Sequence, residues 1–264
     1  MNETDNSATQ ADEPPSGPGG DNGYTLRVED LHSWYGSNHV LNGVTFDVHD
    51  GEIMVILGTS GCGKSTLLKN IIRLYKPGLG SIRLLGVEMT ALEDEEIEPI
   101  LRNVGVMYQH GALLNSLTVG ENVALPLEMH TDLSPEMRRE VAELKLRQVE
   151  LDNVYDKYPP ELSGGMQKRA AVARAIVLDP KIIFCDEPSA GLDPVTGKGL
   201  DSMLITLNET LGMTMVVVTH ELESIKRIAH RVTYLHAGQV LFSGPLDDAL
   251  DSDIPRIREF FLKD

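Results

Sequence analysis

Gly58-Thr59-Ser60-Gly61-Cys62-Gly63-Lys64-Ser65 has the form of a phosphate-binding loop: a glycine, four residues, then Gly-Lys-Ser. Its flanks agree with that reading. Ile53-Met54-Val55-Ile56-Leu57 is a continuous apolar run, the pattern of a strand buried on both faces of a parallel sheet. Thr66-Leu67-Leu68-Lys69-Asn70-Ile71-Ile72 reads as a helix. Three glycines let backbone N–H groups curl toward one concavity, and the helix start adds partial positive charge there. In such a loop Lys64 reaches the β- and γ-phosphates, and the Ser65 hydroxyl completes a Mg²⁺ shell. The pattern predicts a nucleotide phosphate site in an α/β fold.

Three more apolar runs end on residues able to do chemistry. Residues 104 to 108 lead to Gln109, Ile182-Ile183-Phe184-Cys185 to Asp186-Glu187, and Met215-Val216-Val217-Val218-Thr219 to His220. Ligands of open α/β sheets collect outside the carboxyl ends of the strands, so Gly58, Gln109, Asp186 and His220 are expected around one crevice. Asp186 is placed to hold Mg²⁺, and Glu187 to accept a proton from the attacking water. His220 is a candidate sensor of the γ-phosphate. Gln109 is placed to touch the metal or the water, although an isolated glutamine there is also a common structural residue. Ser189-Ala190-Gly191-Leu192-Asp193-Pro194 is expected as a tight loop close by.

Leu162-Ser163-Gly164-Gly165-Met166 opens a further helix, read from Gln167 to about Val177, with Ala170, Ala173, Ile176 and Val177 on one face and Lys168, Arg169 and Arg174 off it. Ser-Gly-Gly at a helix start is a second anion-binding end. Because the first loop already supplies one cradle, this one points to a nucleotide held by another copy, as twofold pairing would arrange. Taken alone, the five residues read more readily as an ordinary capped helix.

Around these stretches the reading is coarser. Thr25 to Glu29, Val44 to Val48 and Ser81 to Leu85 predict short strands, with Trp34-Tyr35-Gly36 in the connection between the first two. An exposed aromatic there stacks on a base; a strand-edge aromatic fits the spacing as well. Glu93-Asp94-Glu95-Glu96 reads as the solvated first turn of a helix, and Ser134-Pro135 as the cap and first residue of another, within a helical stretch from about Leu117 to Glu150. Val232 to Leu235 and Gln239 to Phe242 predict a hairpin around Ala237-Gly238. Ile254, Ile257, Phe260 and Phe261 form a helical apolar stripe, packed on the core or offered to a partner. Residues 1 to about 22 are acidic, rich in Pro, Gly and Ser and without Lys or Arg, the composition of a disordered tail.

Bulk properties set limits. With 264 residues the chain suffices for one large domain or a core with a subdomain, and 41% hydrophobic residues fit a soluble globular protein. No run approaches the roughly 20 apolar residues of a membrane span, and no secretory signal opens the chain. Two cysteines make no disulfide framework and fit a reducing cytosol; eight histidines show no metal-ligand spacing. A net charge of −17 opposes nucleic-acid binding and polybasic lipid anchoring.

From about residue 24 to 245 the chain resembles the nucleotide-binding subunits of ABC transporters. The resemblance rests on Tyr35 (adenine-stacking loop), Gly58 to Ser65 (Walker A), Gln109 (Q-loop), Leu162 to Met166 (signature), Ile182 to Asp186 (Walker B), Glu187, Ser189 to Asp193 (D-loop) and His220 (switch histidine). It implies a P-loop NTPase core with a mainly parallel sheet, an antiparallel β subdomain, an inserted helical subdomain at about 110–170 and a helical tail at 246–264. ATP and Mg²⁺ are the implied cofactors. Implied nucleotide contacts are Tyr35, Gly58, Thr59, Ser60, Gly61, Cys62, Gly63, Lys64, Ser65 and Thr66, with Ser163, Gly164, Gly165 and Asp193 contributed across a homodimer. Ser65, Gln109 and Asp186 are the implied metal ligands; Glu187, His220, Lys64 and Gln109 are the implied catalytic set.

Met166 stands where the commonest signature has Gln. That departure, with 109–119, 122–127 and 217–224, looks like the Mla-type branch that works with MCE-domain proteins in phospholipid transport. The short tail ending in Arg258-Glu259-Phe260-Phe261 fits that branch too. It implies integral membrane permease subunits, an MCE-domain protein, a small regulatory subunit, no nucleic acid, and a peripheral place on the cytoplasmic face of the inner membrane. Other readings are an ABC importer or exporter of different cargo, a soluble non-transport ABC ATPase, or a module that holds ATP without hydrolysing it.

Overall fold

The computed structural model describes residues 23–262; the acidic segment 1–22 and the last two residues lie outside them. In chain order come β1 (Tyr24–Tyr35), β2 (Asn38–His49), β3 (Ile53–Leu57), α1 (Lys64–Ile71), β4 (Leu79–Leu84), β5 (Val87–Glu88), α2 (Asp94–Leu101) and β6 (Val104–Met107). Three helices follow, α3 (Val119–His130), α4 (Pro135–Gln148) and α5 (Gly164–Ala175). The chain continues through β7 (Ile182–Asp186), α6 (Pro194–Leu211), β8 (Thr214–Val218), α7 (Leu222–Ile228), β9 (Arg231–His236), β10 (Gln239–Pro245), α8 (Leu246–Leu250) and α9 (Pro255–Phe261).

Two sheets organise these elements. One is antiparallel, in the order β2-β1-β4-β5; the other runs β10-β9-β3-β8-β7-β6 and is parallel except for its edge strand β10. The apolar runs of β3, β7 and β8 are buried on both faces because each face has its own core. Val55, Val217, Cys185 and Met107 lie side by side across four strands, fully buried toward α3 to α7. Met54, Ile56, Phe184 and Val216 face the opposite way, onto α1 and the antiparallel sheet. Burying side chains of this size stabilises by about 1.5–3 kcal/mol each, which locks the register of the parallel strands.

Local chemistry sets the helix starts. Glu93 and Glu96 form a reciprocal capping box ahead of α2, as the acidic run predicts. Ser134 caps α4 with Pro135 in its first turn, and Asp193 caps α6 by accepting from the Val195 and Thr196 N–H groups at 3.1 and 3.0 Å. Ala237 and Gly238, both at positive φ, turn the β9–β10 hairpin.

Two expectations change. The predicted short strands at 25–29 and 44–48 are parts of a single hairpin of two 12-residue strands. A bulge at Asp30, with φ 46°, interrupts the period-two pattern and hides the continuation. Trp34 and Tyr35 therefore end β1 instead of lying in a connection. The terminal apolar stripe packs on the core: Ile257 and Phe261 are buried, and Phe260 meets the Tyr234 ring edge-on at 5.5 Å.

Gly105 in β6 lets the strand lie directly under α5, since a Cβ there would stand 2.4 Å from the Ala175 carbonyl oxygen. Gly105→Ala is expected to lower stability by about 1–3 kcal/mol through overpacking. Urea unfolding should show a lower midpoint at unchanged slope; an unchanged midpoint would count against this contact.

Candidate nucleotide-binding and hydrolysis site

Strands β3, β8, β7 and β6 are consecutive neighbours, so their carboxyl ends open on one edge. Gly58, His220, Asp186, Glu187 and Gln109 follow these ends and line one cleft of about 660 Å³. Thr59, Ser60, Gly61, Gly63, Lys64, Ser65 and Thr66 complete its floor, so the predicted convergence of strand exits is present.

The loop between β3 and α1 depends on its glycines. Gly58 sits at φ 148°, and a Cβ there would lie 2.1 Å from the Leu235 carbonyl oxygen of β9. Gly63, at φ 110°, leads into α1, whose first residues Lys64, Ser65 and Thr66 line the cleft and whose first turn has no side-chain cap. Lys64 folds over this concavity, donating to the Gly58 and Thr59 carbonyl oxygens at 2.9 and 3.2 Å. A phosphate oxygen is a stronger acceptor than either carbonyl, so the ammonium stands ready to exchange partners. Cys62 lies buried beneath the loop and does not line the cleft; burial pushes its thiol pKa up, against the lowering effect of Lys64. Burial also pushes the Cys185 thiol up to about 12, leaving it inert.

On the far wall Glu187 is 9% exposed and adopts a left-handed backbone, φ 48°. Its N–H donates to Val218 O at 2.7 Å, and its Oε1 is 2.8 Å from His220 Nδ1. Oε2 is buried without a hydrogen-bond partner, a lone-pair acceptor whose demand is unmet. Burial raises the Asp186 pKa, with Glu187 adding to the shift and Lys64 opposing it. The Asp186 carboxylate and the Ser65 hydroxyl are hard oxygen donors on one cleft beside a phosphate cradle, the donor set Mg²⁺ prefers. A cation there would relieve the repulsion between Asp186 and Glu187.

Other predicted residues stand apart. Ser163 and Gly164 are exposed at the start of α5, while Gly165 is buried against Thr196; none of the three lines the cleft. Asp193, also outside it, has its pKa lowered by hydrogen bonds from Thr196 and Val195. Tyr35 is exposed beyond the cleft, edge-on to Tyr75 at 5.3 Å. Trp34 instead stacks on His39 at 4.3 Å across the hairpin, a strand-edge aromatic.

The basic residues of α5 were expected simply off its apolar face. Lys168 is instead buried, its ammonium donating to the Gln109 and Glu187 carbonyl oxygens. Burial pulls its pKa down, and Glu187, Asp186 and Glu221 pull it back up. Arg174 donates to the Gly111 and Ala112 carbonyls at 2.7 Å each. Neither contact has a sequence signal, because a helical pattern does not show which loop will cross it.

A cradle of backbone N–H groups, a lysine, two acids and a histidine on parallel strand ends define a P-loop nucleotide hydrolase. Residues 41–190 match the family model described as ABC transporter, and the chain belongs to that family. It is an ATP-hydrolysing subunit of an ABC transporter, with ATP and Mg²⁺ as cofactors.

It is 38% identical over 238 residues to the probable ribonucleotide transport ATP-binding protein mkl of Mycobacterium leprae, covering 90% of this chain and 69% of that protein. To the methionine import ATP-binding protein MetN of Brucella abortus it is 38% identical over 221 residues, covering 84% and 60%. The chain thus spans about two thirds of the length of such curated relatives. Among solved structures, the dimeric ATP-binding cassette MJ0796 in a post-hydrolysis state with ADP and Pi aligns with TM-score 0.77 and 35% identity, covering 84% of this chain and 98% of that one. CbiO1 of Clostridium perfringens, part of the cbiONQ transporter complex, aligns with TM-score 0.80 and 27% identity, covering 91% and 96%.

Removing the loop ammonium should act on nucleotide binding itself. For Lys64→Ala we expect roughly ten- to hundredfold weaker ATP affinity, the loss of a charge-assisted contact worth about 1.5–3 kcal/mol. Calorimetry returning wild-type affinity would remove Lys64 from the phosphate site.

Proposed function

We propose that two copies of this chain close head to tail over two ATP molecules and so drive a membrane permease. One observation carries this reading. Ser163, Gly164 and the start of α5 face outward, apart from the cleft that holds Lys64, Glu187 and His220 in the same chain. A site split in this way is completed by a partner copy of a symmetric dimer. The dimeric cassette aligned above supports that arrangement.

Within it, the backbone of Gly58, Thr59, Ser60, Gly61, Cys62 and Gly63 cradles the phosphates, and Tyr35 stacks on the base. Lys64, Ser65 and Thr66 bind the phosphate and metal end, with Asp186 and Gln109 as further metal ligands. Mg²⁺ supplies charge neutralisation at the transferring phosphoryl group. Glu187 takes the proton of the attacking water, its Oε1 held by His220 at the cleft. His220, 63% exposed at its side chain, lies where it can reach the γ-phosphate as the sites close. Ser163, Gly164, Gly165 and Asp193 cover the partner's nucleotide, excluding bulk water. The catalytic unit spans 24–245, with a helical subdomain at about 110–170 and a tail from 246.

Closure moves the permease only through differential affinity for the closed state. Gln109 and the surface just after it carry that change to the permease helices; Arg174, which holds the Gly111 and Ala112 carbonyls, also lines a groove with Leu101, Pro126 and His130. Among the described residues no helix is long and apolar enough to cross a membrane, which leaves cargo to the partner subunits. Relatives with near-equal identity carry names for ribonucleotide and methionine transport, so cassette similarity sets the motor and not the cargo. We assign phospholipid transport of the Mla/MCE type from Met166 and from the residues after Gln109 and around His220. The chain then sits on the cytoplasmic face of the inner membrane with a permease, an MCE-domain protein and a small regulatory subunit.

Glu187→Gln should keep ATP binding, lose about 10²- to 10⁴-fold in turnover, and accumulate an ATP-dependent dimer on sedimentation. Adding Ser163→Arg should abolish that dimer with ATP affinity intact; normal dimerisation would sink the cross-subunit reading. Tagged Glu187→Gln protein, purified from gently solubilised membranes, should bring down a multi-span permease, an MCE-domain protein and phospholipid. A different permease would discard the lipid assignment, and purely soluble protein would discard transport.

A further inference from the structure

The segment leaving β6 and the peptide of the catalytic acid are held by one helix, and by one residue in common. Along α5, Arg174 donates to the Gly111 and Ala112 carbonyls, while Lys168 donates to the carbonyls of both Gln109 and Glu187. Lys168 is 8% exposed; its hydrogen bond to Glu187 O is buried, and that to Gln109 O is partly buried. Both carbonyls belong to strand exits: β6 and β7 pair in parallel up to Met107 and Cys185, and Gln109 and Glu187 lie just beyond. Gln109 lies where β6 leaves the sheet for the helical stretch. Glu187 has the left-handed backbone, which a residue with a Cβ adopts only when its surroundings impose it.

Three hydrogen bonds fix that backbone from its two ends. The Glu187 N–H donates to Val218 O at 2.7 Å. Its carbonyl accepts from Lys168 at 3.3 Å and from the Ala190 N–H at 3.3 Å. Ser163, the cap of α5, lies five residues before Lys168, about 7.5 Å along the axis at 1.5 Å per residue. The helix is stiff over that distance, so a displacement of its capped end is felt at the ammonium. On its other side α5 packs against α3 and α4, the helices following the Gln109 segment.

We infer that Lys168 is a positioning residue: it ties the α5 start to the backbone of Gln109 and Glu187, setting the catalytic carboxylate when that helix end is engaged. The inference rests on the cross-subunit closure proposed above. Given that closure, the end of α5 touches the partner's nucleotide while Glu187 acts on the chain's own, so Lys168 lies on the covalent and hydrogen-bonded path between the two sites. Lys168 touches no reacting atom, and its effect is on turnover and not on nucleotide capture. The buried Lys168 stem carries one ammonium to both carbonyls. An isosteric apolar chain removes the ammonium donor from both, leaving Glu187 O with the Ala190 N–H alone.

The test uses the full chain with steady-state ATPase kinetics, calorimetric ATP affinity and thermal unfolding. For Lys168→Met we expect kcat to fall about tenfold to a hundredfold, the scale of a buried charge-assisted contact, with ATP affinity within about twofold of wild type. Lys168→Arg, which keeps a donor cation, should recover most of that loss. Three outcomes overturn the inference: wild-type kcat in the methionine variant, ATP affinity falling in parallel with kcat, or an arginine variant that is folded yet as slow as the methionine one. Glu187→Gln, run alongside for ATP-dependent dimerisation, separates the two ideas. A failed dimer there removes cross-subunit closure, whereas the ratio of kcat to affinity loss still decides whether Lys168 positions Glu187.

Discussion

Parallel pairing of β3, β8, β7 and β6 is the constraint on which the chemistry depends. Strands that run side by side in one direction must all discharge at the same edge, whatever lies between them in sequence. Gly58 and His220 are separated by most of the chain, yet their strands are hydrogen-bonded neighbours, Ile56 beside Val218. The apolar faces make this pairing specific. A slip of one residue in β7 would turn Ile183 and Cys185 away from α5 and α6, exchanging two filled cores at once. The geometry of the cleft is thus protected by hydrophobic register, not by the polar residues that line it.

Those polar residues carry costs that the register absorbs. Glu187 holds a left-handed backbone and a buried oxygen without a hydrogen-bond partner, either of which disfavours the folded state by about 1–3 kcal/mol. Asp186, next to it, is pushed toward protonation by burial and by that neighbour. A cleft meant only for stability would contain neither. Strain and unmet electrostatic demand coincide on the two adjacent acids that line the cleft.

Much of this was legible because its signals are local. The loop from Gly58 to Ser65 is recognised by glycines that a turn of that shape requires, and the strand exits by apolar runs that stop on a polar residue. Ser134-Pro135 and the Glu93 to Glu96 run marked helix starts through their own hydrogen-bonding chemistry. What stayed hidden depends on distant partners. The hairpin of β1 and β2 was foreshortened by the bulge at Asp30, which breaks alternation without breaking the strand. Whether Ile257 and Phe261 face the core or a partner depends on where α9 lands relative to Tyr234, and spacing carries no such information. Lys168 looked like one more charge beside an alanine-rich face; its burial depends on two carbonyls 59 and 19 residues away.

The outward-facing cradle at Ser163 is also more than an unused helix start. A Cβ on Gly165 would stand 2.4 Å from Thr196 Cγ2, so α5 begins in direct contact with the first turn of α6. Thr196 in turn donates from its N–H and hydroxyl to Asp193, the cap of that helix. The signature segment and the loop before α6 therefore form one platform, braced from behind by Lys168 near Glu187. A platform of this kind presents its N–H groups in fixed positions, so closing on an anion costs little reorganisation. In a chain with net charge −17, two copies repel one another at long range. In the proposed head-to-tail pairing, attraction of these helix ends for the nucleotide's phosphates offsets that repulsion at short range and ties association to the nucleotide.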